Sequence, residues 1–141
     1  MLRTSIKRLV LLICLIPLSP IIAYSAQNPK VVFLSAGPEN SPFFTQVIDV
    51  MQTAANSLNL DLEVLYGNDD LFVIQNHALD LFTRTEKPDY LVIVNHRDIT
   101  VEIMQQADSY GIKTLLFNSA LSDMDFTQFR YGPKPLQNWI G

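Results

Sequence analysis

Val31-Val32-Phe33-Leu34-Ser35-Ala36-Gly37-Pro38-Glu39-Asn40-Ser41-Pro42-Phe43-Phe44 decides the fold. Val31 to Leu34, four residues with no polar member before Ser35, read as a strand buried on both faces, the signature of a parallel sheet. Ala36 to Ser41 is a short loop. Ser41 offers a hydroxyl as N-cap and Pro42 suits the first helical position. Phe44, Val47, Ile48, Met51, Ala55 and Leu58 follow at spacings of three and four, a stripe facing a core. Phe43 lies roughly 100° off the centre of that stripe, at the helix tip. A strand, a tight loop and a helix in this order open an α/β fold, and the loop sits where the carboxyl ends of strands gather ligands.

The pattern repeats downstream. Leu62 to Tyr66 reads as a second strand, Gly67-Asn68 as a turn, and Asp69 or Asp70 as the cap of a second helix with Leu71, Ile74, Ala78, Leu81 and Phe82 buried. Pro88 ends that segment. Tyr90 to Val94 is a third strand. Asn95-His96-Arg97 is its edge loop, and Asp98 caps a third helix that buries Ile103, Met104 and Ala107. Gly111 suits the left-handed C′ position, with Ile112 as the apolar contact after it. Lys113 to Phe117 is a fourth strand, followed by Asn118-Ser119. Ser122 to Leu136 reads as a polar loop with Gly132, Pro133 and Pro135, and Asn138-Trp139-Ile140-Gly141 as a fifth strand beginning. An apolar Trp and Ile so near Gly141 suggest the first part of a longer chain. Strands alternating with helices predict an α/β fold: a parallel sheet with helices on both faces. Right-handed crossovers place the first and third strands side by side, and the reversal between them opens a crevice where Gly37–Phe44, Asn95–Arg97 and Asn118–Ser119 meet.

Residues 1–26 do not belong to this pattern. Arg3, Lys7 and Arg8 precede an apolar run from Leu9 to Ala23, interrupted by Pro17 and Pro20, with small residues at Ala23, Ser25 and Ala26. That is the layout of a secretory signal peptide, with cleavage after Ser25 or Ala26. The run is short against the roughly 20 residues of a spanning helix. Cys14, the one cysteine, lies inside it, and Ile13 before it is not the small residue that lipid attachment needs. A mature chain from residue 27 to 141 then has no thiol, which suits an oxidising compartment. The whole chain has ten basic and fourteen acidic residues. Loss of Arg3, Lys7 and Arg8 leaves seven against fourteen, a net −7. Such a surface argues against nucleic acid or an anionic membrane as partner.

The edge loops carry the chemistry. One glycine, Gly37, is too little for a dinucleotide fingerprint, and no Walker-type run ends in Gly-Lys-Ser/Thr. His77 and His96 have no ligand spacing with Cys, Asp or Glu, so no metal or cofactor is expected. Asp69-Asp70 resembles a metal-binding acidic pair but follows the second strand, so capping accounts for it. There is no Gly-x-Ser-x-Gly elbow, no Ser/His/Asp set and no carboxylate pair placed for acid–base work. The remaining candidates are binding residues. Phe44 is a core residue by its stripe position; Phe43 is either core or a ring stacked on an apolar ligand face. Asn40 is a turn residue or a ligand contact, and Ser41 a cap or a ligand contact. Asn95 and Asn118 close two strands at matching edge positions. Each either bonds its own backbone or offers a donor and an acceptor to ligand hydroxyls.

Asn40-Ser41-Pro42-Phe43-Phe44 after the first strand resembles the Asn-x-Pro-Phe-Phe segment of type I periplasmic sugar-binding proteins, the ribose-binding-like branch. The resemblance covers about residues 30 to 119. It implies the amino-terminal lobe, incomplete, of a two-lobed periplasmic protein that closes on a sugar or sugar-like small molecule. It also implies presentation of the closed form to the membrane permease of an ABC transporter or to a sensor kinase. On that resemblance Ser41 would bond the ligand, Phe43 or Phe44 would stack on it, and Asn95 and Asn118 would bond hydroxyls. Asn118-Ser119 stands where many sugar binders carry Asp-Arg. An Asn there is also similar to the autoinducer-2 receptors of the same superfamily, which adds a furanosyl signal to the ligands implied.

Two rivals differ in class. An exported α/β enzyme needs a nucleophile or a perturbed carboxylate in one of the three loops. A receiver-like domain needs an acidic pair after the first strand and an Asp after the third, where this chain has Ala36-Gly37 and Asn95.

Overall fold

The computed structural model describes residues 27–96 and 98–141, without the side chain of Asp98. The expected signal peptide with Cys14, Arg97 of the third edge loop and the capping role of Asp98 lie outside the described residues. The elements run β1 (Lys30–Ser35), α1 (Pro42–Leu58), β2 (Asp61–Tyr66), α2 (Leu71–Thr83), β3 (Tyr90–Val94), α3 (Asp98–Ser109), β4 (Lys113–Phe117), α4 (Asp123–Tyr131) and β5 (Trp139–Ile140). The five strands form one sheet in the order β2-β1-β3-β4-β5, with every pair parallel. The expected α/β class, the parallel sheet and the central β1–β3 pair are all present.

Local chemistry explains most boundaries. Asp70 caps α2 by accepting from the Phe72 N–H at 2.8 Å, which decides between Asp69 and Asp70. Gly111 takes φ +72 after α3, and the Ile112 N–H closes the turn on the Ala107 carbonyl at 2.9 Å. Asn59 plays the same left-handed part after α1, with φ 54. At the amino ends of the strands, Arg84 holds Glu63 through two hydrogen bonds of 2.7 and 3.0 Å and reaches Asp80 as well. Its guanidinium is thereby held above its ordinary value, chiefly by Glu63.

Three expectations need correction. Ser122–Leu136 is not all loop, because α4 forms within it. Ser122 accepts from the Asp125 N–H at 3.1 Å and donates to the Asp125 carboxylate at 2.7 Å. Asp123 and Asp125 complement the positive end of the helix dipole and Arg130 the negative end. Phe129 then drops into the core against Trp139. Leu58 is not a core residue but 66 % exposed, and Leu71 is exposed too. Both lie at helix ends, where little of the sheet remains to cover them. Ser41 occupies the N-cap position of α1 but its side chain makes no capping bond; Thr45 instead donates its hydroxyl to the Ser41 carbonyl at 2.9 Å.

Strand burial shows how the layers are filled. In β1 and β3 adjacent residues are buried on both faces, as in Val32-Phe33-Leu34 and Leu91-Val92-Ile93. In β4 burial alternates: Thr114 and Leu116 are covered while Lys113 and Leu115 are not. Right-handed crossovers put α1 on one face and α2, α3 and α4 on the other. The second face is therefore covered across the sheet, while the first is covered over β1 and β3 and left open at Leu115 of β4 and Ile140 of β5.

The entry to β5 hangs on one carboxylate that the sequence did not mark out. Asp108 Oδ1 accepts from the Gln137 N–H at 2.9 Å, the Asn138 N–H at 2.8 Å and the Asn138 side-chain amide at 3.1 Å. Asn138 in turn accepts from the Thr114 N–H at 2.8 Å, which begins the β4–β5 pairing. Asp108→Ala removes three charge-assisted bonds and is expected to cost about 1–3 kcal/mol. Amide exchange should accelerate at Thr114 and in β5 before it does in β1 or β3. Uniform acceleration across the sheet would show that Asp108 does not act as a local anchor.

Candidate functional site

The topological switch point lies at the carboxyl edge because β1 sits between β2 and β3, and the chain leaves β1 to one side and returns on the other. Beneath it lies a run of aromatic rings. Phe33, fully buried in β1, meets Phe44 with ring centres 6.3 Å apart and Phe117 at 6.1 Å edge-on. Phe44 in turn meets Phe43 edge-on at 5.1 Å. The run climbs from the sheet centre to the tip of α1, where Phe43 is 50 % exposed.

Gly37 makes this packing possible. A Cβ at that position would stand 2.6 Å from two atoms of the Phe44 ring. Phe44 is thus held in the core by the loop that precedes its own helix. Of the two readings of Phe44, the half-buried ring between Phe33 and Phe43 matches core packing, while Phe43 presents a face to solvent.

The polar candidates divide. Asn40 lies exposed in the turn before α1, and the Ser41 hydroxyl stays unused by the helix. Asn118 is exposed with φ +70, a conformation Asn tolerates better than most residues, so the backbone alone already favours Asn there. Among the described residues the side chains of Asn40 and Asn118 make no hydrogen bond. Asn95 is different: its amide nitrogen donates to the Ala120 carbonyl and ties the end of β3 to the loop after β4. It keeps its side-chain carbonyl as an acceptor. The backbone of His96 is fixed by the buried Thr100 hydroxyl, which accepts from the His96 N–H at 2.7 Å. Sheet order thus brings the loops of Asn40–Phe44, Asn95 and Asn118 to neighbouring strand ends, with Asn95 bridging two of them.

The loop after β2 is nearer than the sequence suggested. Gly67 and Asp69 donate their N–H groups to the Ser35 and Ala36 carbonyls, both at 2.8 Å. The Asp69 carboxylate stands 3.7 Å from the position a Cβ on Gly37 would take. Asp69 adopts φ 58, as does Asn68 at 54. The run of small and amide or acid residues in Gly67-Asn68-Asp69-Asp70 was the available signal for such a turn, but its docking on the first loop is a tertiary fact.

No protein-family model matches the sequence, and no curated protein matches it either. Among solved structures the chain is similar to a periplasmic sugar-binding protein from Pseudomonas fluorescens, at 35 % identity over 69 % of this chain with a TM-score of 0.64. The match takes in 30 % of that protein, so this chain spans well under half its length. The five-stranded sheet and its helices have the fold of a periplasmic-binding-protein lobe.

The Gly37–Phe44 contact can be tested directly. Gly37→Ala is expected to destabilise the domain by about 1–3 kcal/mol through overpacking. Combined with Phe44→Ala, the same substitution should cost far less, because the ring it strikes is gone. Equal costs in the two backgrounds, measured by denaturant titration, would mean that the ring does not set the glycine requirement.

Proposed function

We propose that this chain is the amino-terminal lobe of an exported solute-binding protein whose ligand is a sugar or sugar-like small molecule. The observation that carries the reading is the 35 % identity to a periplasmic sugar-binding protein across 69 % of this chain. The edge chemistry agrees with it. A half-exposed Phe43 ring suits the apolar face of a pyranose or furanose. Asn40, Asn118 and the Ser41 hydroxyl supply uncharged donors and acceptors for hydroxyl groups, and Asn95 adds one carbonyl.

In this reading the lobe does no covalent chemistry. A second lobe closes over the ligand from the opposite side by a hinge motion. The closed form docks on the membrane permease of an ABC transporter or on a sensor kinase. Residues 1–26 act as the signal peptide that delivers the protein to the periplasm. Asn118-Ser119 lacks the charge that an Asp-Arg pair would bring, so the ligand includes furanosyl signals as well as common pentoses and hexoses.

Calorimetry tests the reading in two steps. The polypeptide that carries both lobes should bind at least one member of a panel of pentoses, hexoses and furanosyl signals. In it Phe43→Ala should weaken binding about tenfold or more while lowering stability by less than about 1 kcal/mol. A loss of stability without loss of affinity would return Phe43 to the core. The 141-residue chain by itself should show no sugar binding, and micromolar affinity in that chain would overturn the need for a second lobe.

A further inference from the structure

Asn118, Ser119 and Ala120, all exposed, arch from the end of β4 toward α4. Both feet of the arch are fixed. Phe117 before it packs edge-on against Phe33, and Leu121 after it is buried in the core. Among the described residues two hydrogen bonds shape what lies between. The Ser119 N–H donates to the Phe117 carbonyl at 2.9 Å, and the Ala120 carbonyl accepts from the Asn95 side-chain amide.

The first bond closes a three-residue turn on Asn118, whose φ of +70 makes it the γ-turn with positive φ. That form is rare because a Cβ crowds the backbone there, and even Asn adopts it at a cost. It persists only where the surroundings over-determine it. Phe117 and Leu121 fix where the arch begins and ends, not the turn inside it. Among the described residues the Asn118 side chain bonds nothing, so it does not hold its own backbone. Asn95 does hold it. Val94 pairs with Phe117 in register, so Asn95 leaves β3 beside Asn118. The next residue is fixed as well, with the His96 N–H on the buried Thr100 hydroxyl at 2.7 Å. A donor on a fixed strand end thus grips the chain two residues beyond the strained one. The net worth of one such bond and the cost of a left-handed residue are each roughly five- to tenfold in an equilibrium, so the brace is strong enough to decide the turn.

We propose that Asn95 is a positioning residue: its amide holds the Asn118–Ala120 arch in the positive-φ turn, so that Asn118 is offered to the ligand in one fixed orientation. The inference rests on the reading of the carboxyl edge as the ligand rim, and it gives different tasks to two residues at matching strand ends. Asn118, with a side chain free of protein bonds, is the contact. Asn95, half-buried and already bonded to Ala120, is its support and keeps its carbonyl for any further bond. A turn set before the ligand arrives spares the cost of ordering exposed loop residues on binding. The same bond defines what position 95 requires. A carboxylate of the same shape has no hydrogen to donate at neutral pH and sets charge against the carbonyl oxygen.

The test uses the isotope-labelled 141-residue chain in solution NMR and denaturant titration, with no sugar present. Asn95→Asp keeps the shape and removes the donor. The strong intraresidue NOE between the amide and α protons of Asn118, which reports positive φ, should weaken in that variant, while the cross-peaks of β1 stay in place. Asn118→Gly then separates positioning from plain stabilisation, because glycine takes positive φ freely and loses more entropy than other residues elsewhere. With Asn95 present, Asn118→Gly should leave the folding constant unchanged or raise it. With Asn95→Asp it should lower that constant, a coupling of about threefold or more. The two side chains share no hydrogen bond among the described residues, so a bond that only strengthened the fold would give no coupling. An unchanged NOE in Asn95→Asp, or independent effects of the two substitutions, would overturn the proposal. Asn95→Ala, which removes the donor without adding charge, decides by the same two readouts if Asn95→Asp does not fold. Failed sugar binding by the two-lobed polypeptide with the coupling intact would strike the proposed ligand alone.

Discussion

Phe33 is the side chain on which the carboxyl edge is built. It sits on the central strand, fully buried, and touches one ring from α1 and one from β4. Those two contacts set how close the first turn of α1 lies to the sheet and where β4 ends. Phe44 can reach Phe33 only because Gly37 has no Cβ in its path. With Phe44 drawn down into the core, the next residue back along the helix is turned outward by about 100°. The exposure of Phe43 is thus a consequence of the packing of Phe44, and a single buried ring links the sheet, the loop and the rim of the crevice.

The repeated units were legible in the sequence because each carried its own punctuation. β3 could be bounded by its apolar run alone, and the Gly111–Ile112 stop of α3 by one glycine in a position where φ must be positive, which also sets where β4 begins. α4 was not legible by the same means. Its nine residues present one fully buried side chain, Phe129, so no stripe announces it. The signal it does carry is Ser122 followed three residues later by Asp125, whose N–H and carboxylate both bond the Ser122 hydroxyl in the structure. A polar stretch with Gly and Pro at its far end hid a short helix held by its ends rather than by its face.

The candidate site was legible as a set of positions but not as a set of free groups. Sheet order follows from crossover rules, so the meeting of the loops at Asn40, Asn95 and Asn118 could be read in advance. Which of these amides remains available could not. Asn95 spends its side-chain amide N–H on Ala120, twenty-five residues away, and Asp69 is folded against Gly37 by the backbone bonds of Gly67 to Ser35 and of Asp69 to Ala36. Both are long-range contacts with no sequence spacing to betray them. Leu58 failed for a related reason: periodicity reports the direction a side chain points, not whether anything waits there.

On the proposed function, the chemistry of the rim favours a neutral ligand over an anionic one. α1 begins with Pro42, which removes one N–H from the helix end that would otherwise attract an anion. Glu39 and Asp69 flank the same loop and add negative charge to it. An anionic ligand would meet carboxylates and a weakened helix terminus. A neutral ligand with several hydroxyls meets amides and a hydroxyl that can each donate or accept, beside a ring that takes its apolar face. Such a ligand cannot be desolvated from one side only, since half of its hydroxyls would still face water. On the proposed function, such a ligand is held between this lobe and an opposing surface.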